Sequence, residues 1–462
     1  MYSEVTHGEQ TTAAIAQYQL SPHRVPLPLI RAGLTVKQAC ANANYRLGYL
    51  DDSHYQAIIS AIAALAAMQD AELRARFPLD AWQGGAGTAI NMNLNEAIAV
   101  QAAGDGAGVS PLDHANRHQS TNDVMPTALR VMLLGMLGDV ERAIEQLQEA
   151  LQESEREYAG VLKIARTQLR DATVVSAGQQ FATWAGAVAR DRWRLFKARE
   201  RLKEVNLGGT AVGTGLGAPR DYVLRVVQEL QLLVPHPIAR ADNPVEATSN
   251  YDQLLEAMET VNVCASNLAR IAGDLRLLGS GPHGGLGEIS LPGAVKGSSI
   301  MPDKKNPVLA EAVVGAAERI MANHPLVTRL CSRSELELNA FLPQISYTVW
   351  ESTELLRGAA ETLARFVRSV TVDAARCEAN LEASYAAIVA LMPLYGYARC
   401  EQFVREARTA GQNLAEYLQQ QQGMEAEDVA TLLSLRNLTR LGYDPDYYQT
   451  LREKYRSAGT SP

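Results

Sequence analysis

The stretch Gly297-Ser298-Ser299-Ile300-Met301-Pro302-Asp303-Lys304-Lys305-Asn306-Pro307 crowds two hydroxyls, two ammonium groups and a carboxamide between a glycine and a proline. Such a segment is a loop, and its groups are donors that hold anions. Three more polar patches interrupt the chain. They are Gln83-Gly84-Gly85-Ala86-Gly87-Thr88 (continuing as Asn91-Met92-Asn93-Leu94-Asn95-Glu96), Gln119-Ser120-Thr121-Asn122-Asp123, and Arg166-Thr167-Gln168-Leu169-Arg170-Asp171-Ala172. Each is expected beside a helix end, where unpaired N–H groups and partial positive charge suit a carboxylate. Thr88, Ser120, Thr121, Asn122, Thr167 and Asn306 are neutral donors, and Lys304 adds a positive charge. That is an inventory for holding a small dicarboxylate, not for cutting a peptide or moving phosphate.

Each patch also has a plainer reading. Ser-Thr-Asn-Asp before a helix is a common cap, and Asn306 before Pro307 looks like another. The run Gly208-Gly209-Thr210-Ala211-Val212-Gly213-Thr214-Gly215 lacks the Lys-Ser/Thr of a phosphate loop and is expected to follow a helix rather than a strand. A nucleotide site is rejected on that ground. His114 and His118 stand four apart without a third ligand, so no metal is expected. No Ser-His-Asp set and no cofactor fingerprint is present, and no cofactor is expected.

The elements that must position these groups are long helices. Leu133, Leu137, Val140, Ile144, Leu147 and Leu151 alternate four and three residues apart, the stripe of a bundle helix. Asp123 is expected to cap that helix, with Pro126 in its first turn, and the helix to run about 40 residues toward Arg166. Further long helices are expected from Ser176 to about Glu204, from about Leu254 to Leu278, and from Asn306-Pro307 through Ile320. Alternating β-branched runs are scarce, so little sheet is expected. Shorter helices flank the bundle on both sides, which suggests three regions: 1–120, 121–375 and 376–462. A single chain is not expected to cover all the apolar stripes, so a homotetramer is predicted.

Composition narrows the function classes. A chain of 462 residues with 47% hydrophobic and 20% charged residues can bury a large core. A net charge of −8 argues against a nucleic-acid partner, and an anionic substrate then needs a locally positive site. Five scattered cysteines favour a reducing compartment over a disulfide framework. No apolar run approaches the length of about 18 residues that spans a membrane. A soluble cytoplasmic protein is expected.

The pattern Gly-Ser-Ser-x-Met-Pro-x-Lys-x-Asn-Pro from Gly297 to Pro307 resembles the flexible loop of the aspartase/fumarase superfamily. The resemblance extends over most of the chain. It includes Gly8 to Ile15, Gly85-Ala86-Gly87-Thr88 with Asn91-Met92-Asn93 and Asn95-Glu96, Gln119 to Asp123, Gly209 to Gly215, and Ser280-Gly281-Pro282. It implies an all-α, three-domain fold with a central long-helix bundle, forming a twenty-helix core in a homotetramer whose active sites each draw on three subunits. It implies Ser298 as the base that removes the proton next to one carboxylate. The resulting aci-carboxylate would be held by Thr88, Ser120, Thr121 and Ser299, an oxyanion-hole arrangement. Thr167, Lys304 and Asn306 would hold the other carboxylate.

Thr167-Gln168 bears on the leaving group. Fumarases usually carry histidine after this threonine, whereas one aspartase branch carries glutamine. Hydroxide departs as the conjugate base of water, pKa about 15.7, and needs an acid. An α-ammonium, pKa about 8, leaves as neutral ammonia without one. Gln168 cannot shuttle protons but can accept a hydrogen bond from an ammonium. Glu311, which partners the histidine in fumarases, is then expected to orient or support. Elimination of ammonia from L-aspartate is the first expectation. Asp303, Lys305 and Leu391-Met392-Pro393 depart from the family pattern and leave an N-substituted aspartate open as substrate. Fumarate hydration, and a structural role recruited from a lyase, are the alternatives.

Overall fold

The computed structural model describes residues 7–103, 108–291 and 297–456. Helices dominate, in line with the all-α expectation, and among the described residues the strands form three two-stranded ladders. β1 (Leu162–Thr167) pairs antiparallel with β2 (Arg170–Ser176), and β3 (Glu204–Val205) pairs parallel with β4 (Ala239–Arg240). β5 (Ile289–Ser290) pairs antiparallel with β6 (Thr371–Val372). Seven helices carry the argument: α1 (Leu27–Arg46), α2 (Thr88–Ala102), α3 (Thr121–Glu157), α4 (Ala177–Arg201), α5 (Asp252–Leu278), α6 (Val308–Cys331) and α7 (Leu342–Ser369). Among the described residues no helix is long and apolar enough to cross a membrane. All five cysteines are buried free thiols.

The chain divides into two compact units. One comprises Met1–Ile144, Arg190–Ala269 and Gly315–Ala360; the other comprises Glu145–Ala189, Arg270–Val314 and Glu361–Pro462. In the first, α1 packs on the Asp52–Ala67 and Arg220–Gln231 helices, and its Leu29, Leu34, Val36 and Cys40 are buried. In the second, the β1–β2 hairpin packs on the Ala374–Glu382 helix. There Leu391, Phe403, Tyr417, Leu418 and Leu432 form a core for the short C-terminal helices. Met392 packs against that core, so the departure at Leu391-Met392-Pro393 is an apolar contact. Each fully buried Leu or Phe of this kind contributes about 1.5–3 kcal/mol.

Helix α3 departs from expectation at both ends. Ser120, not Asp123, is its cap. The Ser120 Oγ accepts from Asn122 N at 3.2 Å, and Asp123 reaches back to accept from Ser120 N at 3.0 Å. The two residues thus stand in the relation of a capping box. Pro126 consequently lies inside the helix, where its missing N–H would leave the Asn122 carbonyl without a partner. Asn206 Nδ2 supplies that bond at 2.9 Å. At the other end the helix stops at Glu157, and Tyr158-Ala159-Gly160 turns the chain into β1. The residues toward Arg166 are therefore strand, because Leu162, Lys163 and Ile164 find partners in Ser176, Val175 and Val174.

The apolar stripe of α3 is also not the surface that was expected. Leu133, Leu137, Val140, Ile144, Leu147 and Leu151 are all buried within the single chain. So are Leu254, Met258, Val261, Leu268, Ile271 and Leu275 of α5. Large apolar groups left exposed on the long helices include Trp193 and Phe196 on α4, Val263 and Leu277 on α5, and Val308 and Leu309 at the start of α6.

Candidate active site

In the first unit the starts of α2 and α3 come together. Gly85, Ala86 and Gly87 have φ of +80°, +56° and +90°, a left-handed turn that glycine makes without strain. It delivers Thr88 as the first residue of α2, exposed, with its Oγ1 donating to Gly85 O at 2.8 Å. One turn on, Asn91 Nδ2 donates to Thr121 Oγ1 at 3.3 Å, joining the two helix starts. Ser120 and Asn122 are half-buried beside it, and Asn122 Nδ2 donates to Ala211 O at 2.7 Å.

The glycine run after β3 closes this corner. A short strand, not the end of a helix, leads into it, contrary to expectation. Two of its N–H groups are nonetheless spoken for, since Gly208 N and Thr210 N donate to Asp123 Oδ2 at 3.1 and 3.0 Å. A phosphate has no claim on them. Gly213 has φ +87°, and a Cβ there would lie 2.4 Å from the Pro244 carbonyl, so only glycine fits. Burial raises the Asp123 carboxyl to about 6 against these three backbone bonds. Lys37, buried on α1, is lowered to about 7 by the same loss of water.

In the second unit Thr167 and Gln168 stand at a hairpin tip, not beside a helix end. Gln168 and Leu169 form its two-residue turn with φ of +53° and +60°, the positive pair that a type I′ hairpin demands. Thr167, Gln168 and Leu169 are exposed. The strand beneath them is anchored by an ion cluster. Arg166 lies 2.7 Å and Lys163 3.2 Å from the buried Glu288, and Asn380 Nδ2 donates to it at 3.3 Å. Burial pushes the Glu288 carboxyl up, but the Arg166 guanidinium and Lys163 ammonium outweigh it and hold it below its ordinary value.

The loop from Gly297 to Pro307 folds on itself. Gly297 N donates to Lys304 O at 3.1 Å, and Asn306 Nδ2 donates to Gly297 O at 2.6 Å. Asn306 therefore ties the loop shut rather than capping α6. A Cβ on Gly297 would meet Lys304 O at 2.2 Å, which explains the glycine. Asp303 has φ +64°, a conformation that suits glycine and that Asp tolerates better than most residues. Inside this ring Ser298 Oγ accepts from Met301 N at 2.9 Å and Ile300 N at 3.2 Å. Two N–H groups on one hydroxyl oxygen favour negative charge there. Ser299, Lys304 and Lys305 are exposed. Glu311, in the first turn of α6, lies 3.7 Å from Arg276 of α5. Among the described residues no hydrogen bond joins the hairpin tip to this loop.

His114 and His118 do not face a common ligand. His114 accepts from Ser110 N at 3.0 Å and packs at a tilt against His54, while His118 bonds Asn44 at 2.6 Å. Among the described residues no group of three or more His, Cys, Asp or Glu could hold a metal ion. Two buried residues, one in each unit, escaped the sequence reading. Lys37 had a signal, a lysine on the apolar face between Leu34 and Cys40. Glu288 had none, because its partners lie far away in the chain.

A helical scaffold that offers helix starts, a hydroxyl under two N–H groups and a lysine-bearing loop suits carboxylate chemistry. Comparison with known proteins agrees: residues 3–322 match the family model described as Lyase. The chain belongs to the aspartase/fumarase superfamily of lyases. It is 33% identical to an aspartate ammonia-lyase of Bacillus subtilis (strain 168), over 95% of this chain and 94% of that one. It is 34% identical to a class II fumarate hydratase of Chlamydia caviae, over 92% and 94%. Among solved structures, the fumarate lyase:delta crystallin of Brucella melitensis bound to cobalt superposes with a TM-score of 0.89. It is 37% identical, over 95% of this chain and 97% of that one.

Proposed function

We propose that this chain eliminates ammonia from L-aspartate, or from a closely related amino dicarboxylate, to give fumarate. The observation that carries the reading is Ser298, whose oxygen already receives two backbone N–H bonds as an alkoxide would need. Ser298 takes the proton next to one carboxylate, and the charge that builds on that carboxylate is held by Thr88, Ser120, Thr121 and Ser299. Thr167, Lys304 and Asn306 hold the other carboxylate, and Asn122 adds a donor. Thr88, Asn122 and Asn306 each make an internal bond in the free chain, to Gly85 O, Ala211 O and Gly297 O. The amides keep a second N–H for the substrate, while the Thr88 hydroxyl must turn.

Gln168 selects the leaving group. At the hairpin tip it can accept a hydrogen bond from an α-ammonium but cannot protonate a departing hydroxide. The sites are completed in a homotetramer, each from three subunits, with residues 1–120, 121–375 and 376–462 as its three regions. The exposed Leu169 at the hairpin tip, with Trp193, Phe196 and Val263, supports an assembled form, because a lone chain gains nothing from wetting them.

Fumarate hydration is the second reading, supported by relatives named as class II fumarate hydratases. The test measures fumarate formation from L-aspartate and L-malate under identical conditions. Aspartate is expected to react and malate to be negligible. Malate turnover equal to or faster than aspartate overturns the proposal. If only an N-substituted aspartate reacts, the elimination stands and Asp303 and Lys305 become the residues to examine for the substituent. If nothing turns over, the recruited structural role gains.

A further inference from the structure

Lys37 is 1% exposed, and its Nζ has two hydrogen-bond partners, both carboxamide oxygens: Gln119 Oε1 at 2.8 Å and Asn116 Oδ1 at 2.9 Å. An ammonium only donates, so Lys37 dictates which atom of each amide must face it. Asn116 Oδ1, turned toward Lys37, also accepts from Asn91 Nδ2 at 3.2 Å. Asn91 must therefore present nitrogen, and that same nitrogen donates to Thr121 Oγ1 at 3.3 Å. The Thr121 oxygen is thereby used as an acceptor, and its own O–H is left to donate elsewhere. Thr121 is 9% exposed, at the edge of the buried region.

One atom is sacrificed to this arrangement. Asn91 Oδ1 is buried without a hydrogen-bond partner. Turning the Asn91 amide over would offer that oxygen the Thr121 hydroxyl, but it would set two amide oxygens against each other at Asn116. A buried orphan acceptor is costly, and its persistence shows which constraint is dominant. Gln119 is fixed in the same way. Its Oε1 faces Lys37 while its Nε2 donates to Ala115 O and Arg117 O, both at 3.2 Å, which holds the turn just before Ser120.

We propose that Lys37 is a positioning residue that sets the donor direction of the buried chain Lys37–Asn116–Asn91–Thr121, so that the Thr121 hydroxyl offers its proton to a substrate carboxylate. This rests on the reading of Thr121 as a carboxylate ligand given above. Lys37 touches no substrate. It makes an ambivalent hydroxyl, able to accept or donate, into a committed donor.

Succinate, a dicarboxylate that cannot undergo the elimination, is the probe. Its binding to the whole protein is measured by calorimetry at about pH 6, below the point near 7 to which burial lowers Lys37. Thr121→Val is expected to weaken binding about tenfold or more, the worth of one hydrogen bond to a charged group. Lys37→Met should weaken it by a similar factor. The double variant should bind no worse than Thr121→Val alone, because both changes remove the same bond. A merely structural lysine would instead give losses that multiply. Asn116→Leu breaks the chain while keeping the cation, and should match Lys37→Met if that variant folds poorly. Multiplying losses, or normal binding by both Lys37→Met and Asn116→Leu, overturns the inference. No succinate binding by the wild type, or normal binding by Thr121→Val, overturns the dicarboxylate reading first and this one with it.

Discussion

Replacing Ser298 by alanine removes the oxygen that receives Met301 N at 2.9 Å and Ile300 N at 3.2 Å. A hydrogen bond to a charged group is worth about 1.5–3 kcal/mol and a neutral one about 0.5–1.5, so each N–H favours the alkoxide by about 1 kcal/mol. Together they favour the alkoxide by about 2 kcal/mol. That falls far short of bringing an alcohol to neutrality. The rest must come from Lys304 and from exclusion of water when substrate binds. Ser298→Ala should therefore lower kcat by about 10²–10⁴, the usual contribution of a general base. Because the loop around it is exposed, the two freed N–H groups turn to water and the unfolding midpoint should not move. The assay follows fumarate by its ultraviolet absorbance at saturating L-aspartate, with circular dichroism as the check on folding. If the variant keeps more than about a hundredth of the wild-type kcat, Ser298 is not the base. The same arithmetic requires Lys304→Met to lower kcat and not merely to raise KM.

Other expectations follow from single geometries. Asp303→Gly should leave turnover intact, whereas Asp303→Val, β-branched at φ +64°, should depress it; equal activity in both variants removes any role for that backbone conformation. Gly213→Ala drives a Cβ to 2.4 Å from the Pro244 carbonyl and should lower the unfolding free energy by about 1–3 kcal/mol or more, read by urea titration. Burial lowers Lys37 from 10.5 to about 7, so above pH 7 the folded chain has released a proton that the unfolded chain still holds, and stability rises with pH. Over two pH units that gain reaches about 3 kcal/mol. Lys37→Met should lose it, and identical pH slopes in the two proteins count against a buried, depressed lysine.

Much of the fold was legible because long helices announce themselves through spacing. The stripe Leu133 to Leu151 and the stretch from about Leu254 to Leu278 marked helices that the structure contains, and the scarcity of alternating runs marked the near-absence of sheet. The boundaries were less legible. Asp123 and Pro126 fit a first turn equally well by residue type. Only the side chain of Asn206, which satisfies the Asn122 carbonyl, lets the proline sit inside the helix. The hairpin tip was missed as a hairpin because neither Gln168 nor Leu169 is a usual turn former at positive φ.

The sequence by itself determined which groups are available: a serine in a Gly-Ser-Ser loop, hydroxyls at two helix starts, a threonine-glutamine pair, and a chain pattern that places it among the aspartase and fumarase lyases. Tertiary structure alone decided what those groups can do. It put two N–H groups on Ser298, gave Asn306 to the Gly297 carbonyl, and buried Lys37 under Asn116 and Gln119. The reason is physical. Residue types and spacing fix local preference, but the direction of a hydrogen bond and the loss of water around a charge depend on neighbours remote in the chain.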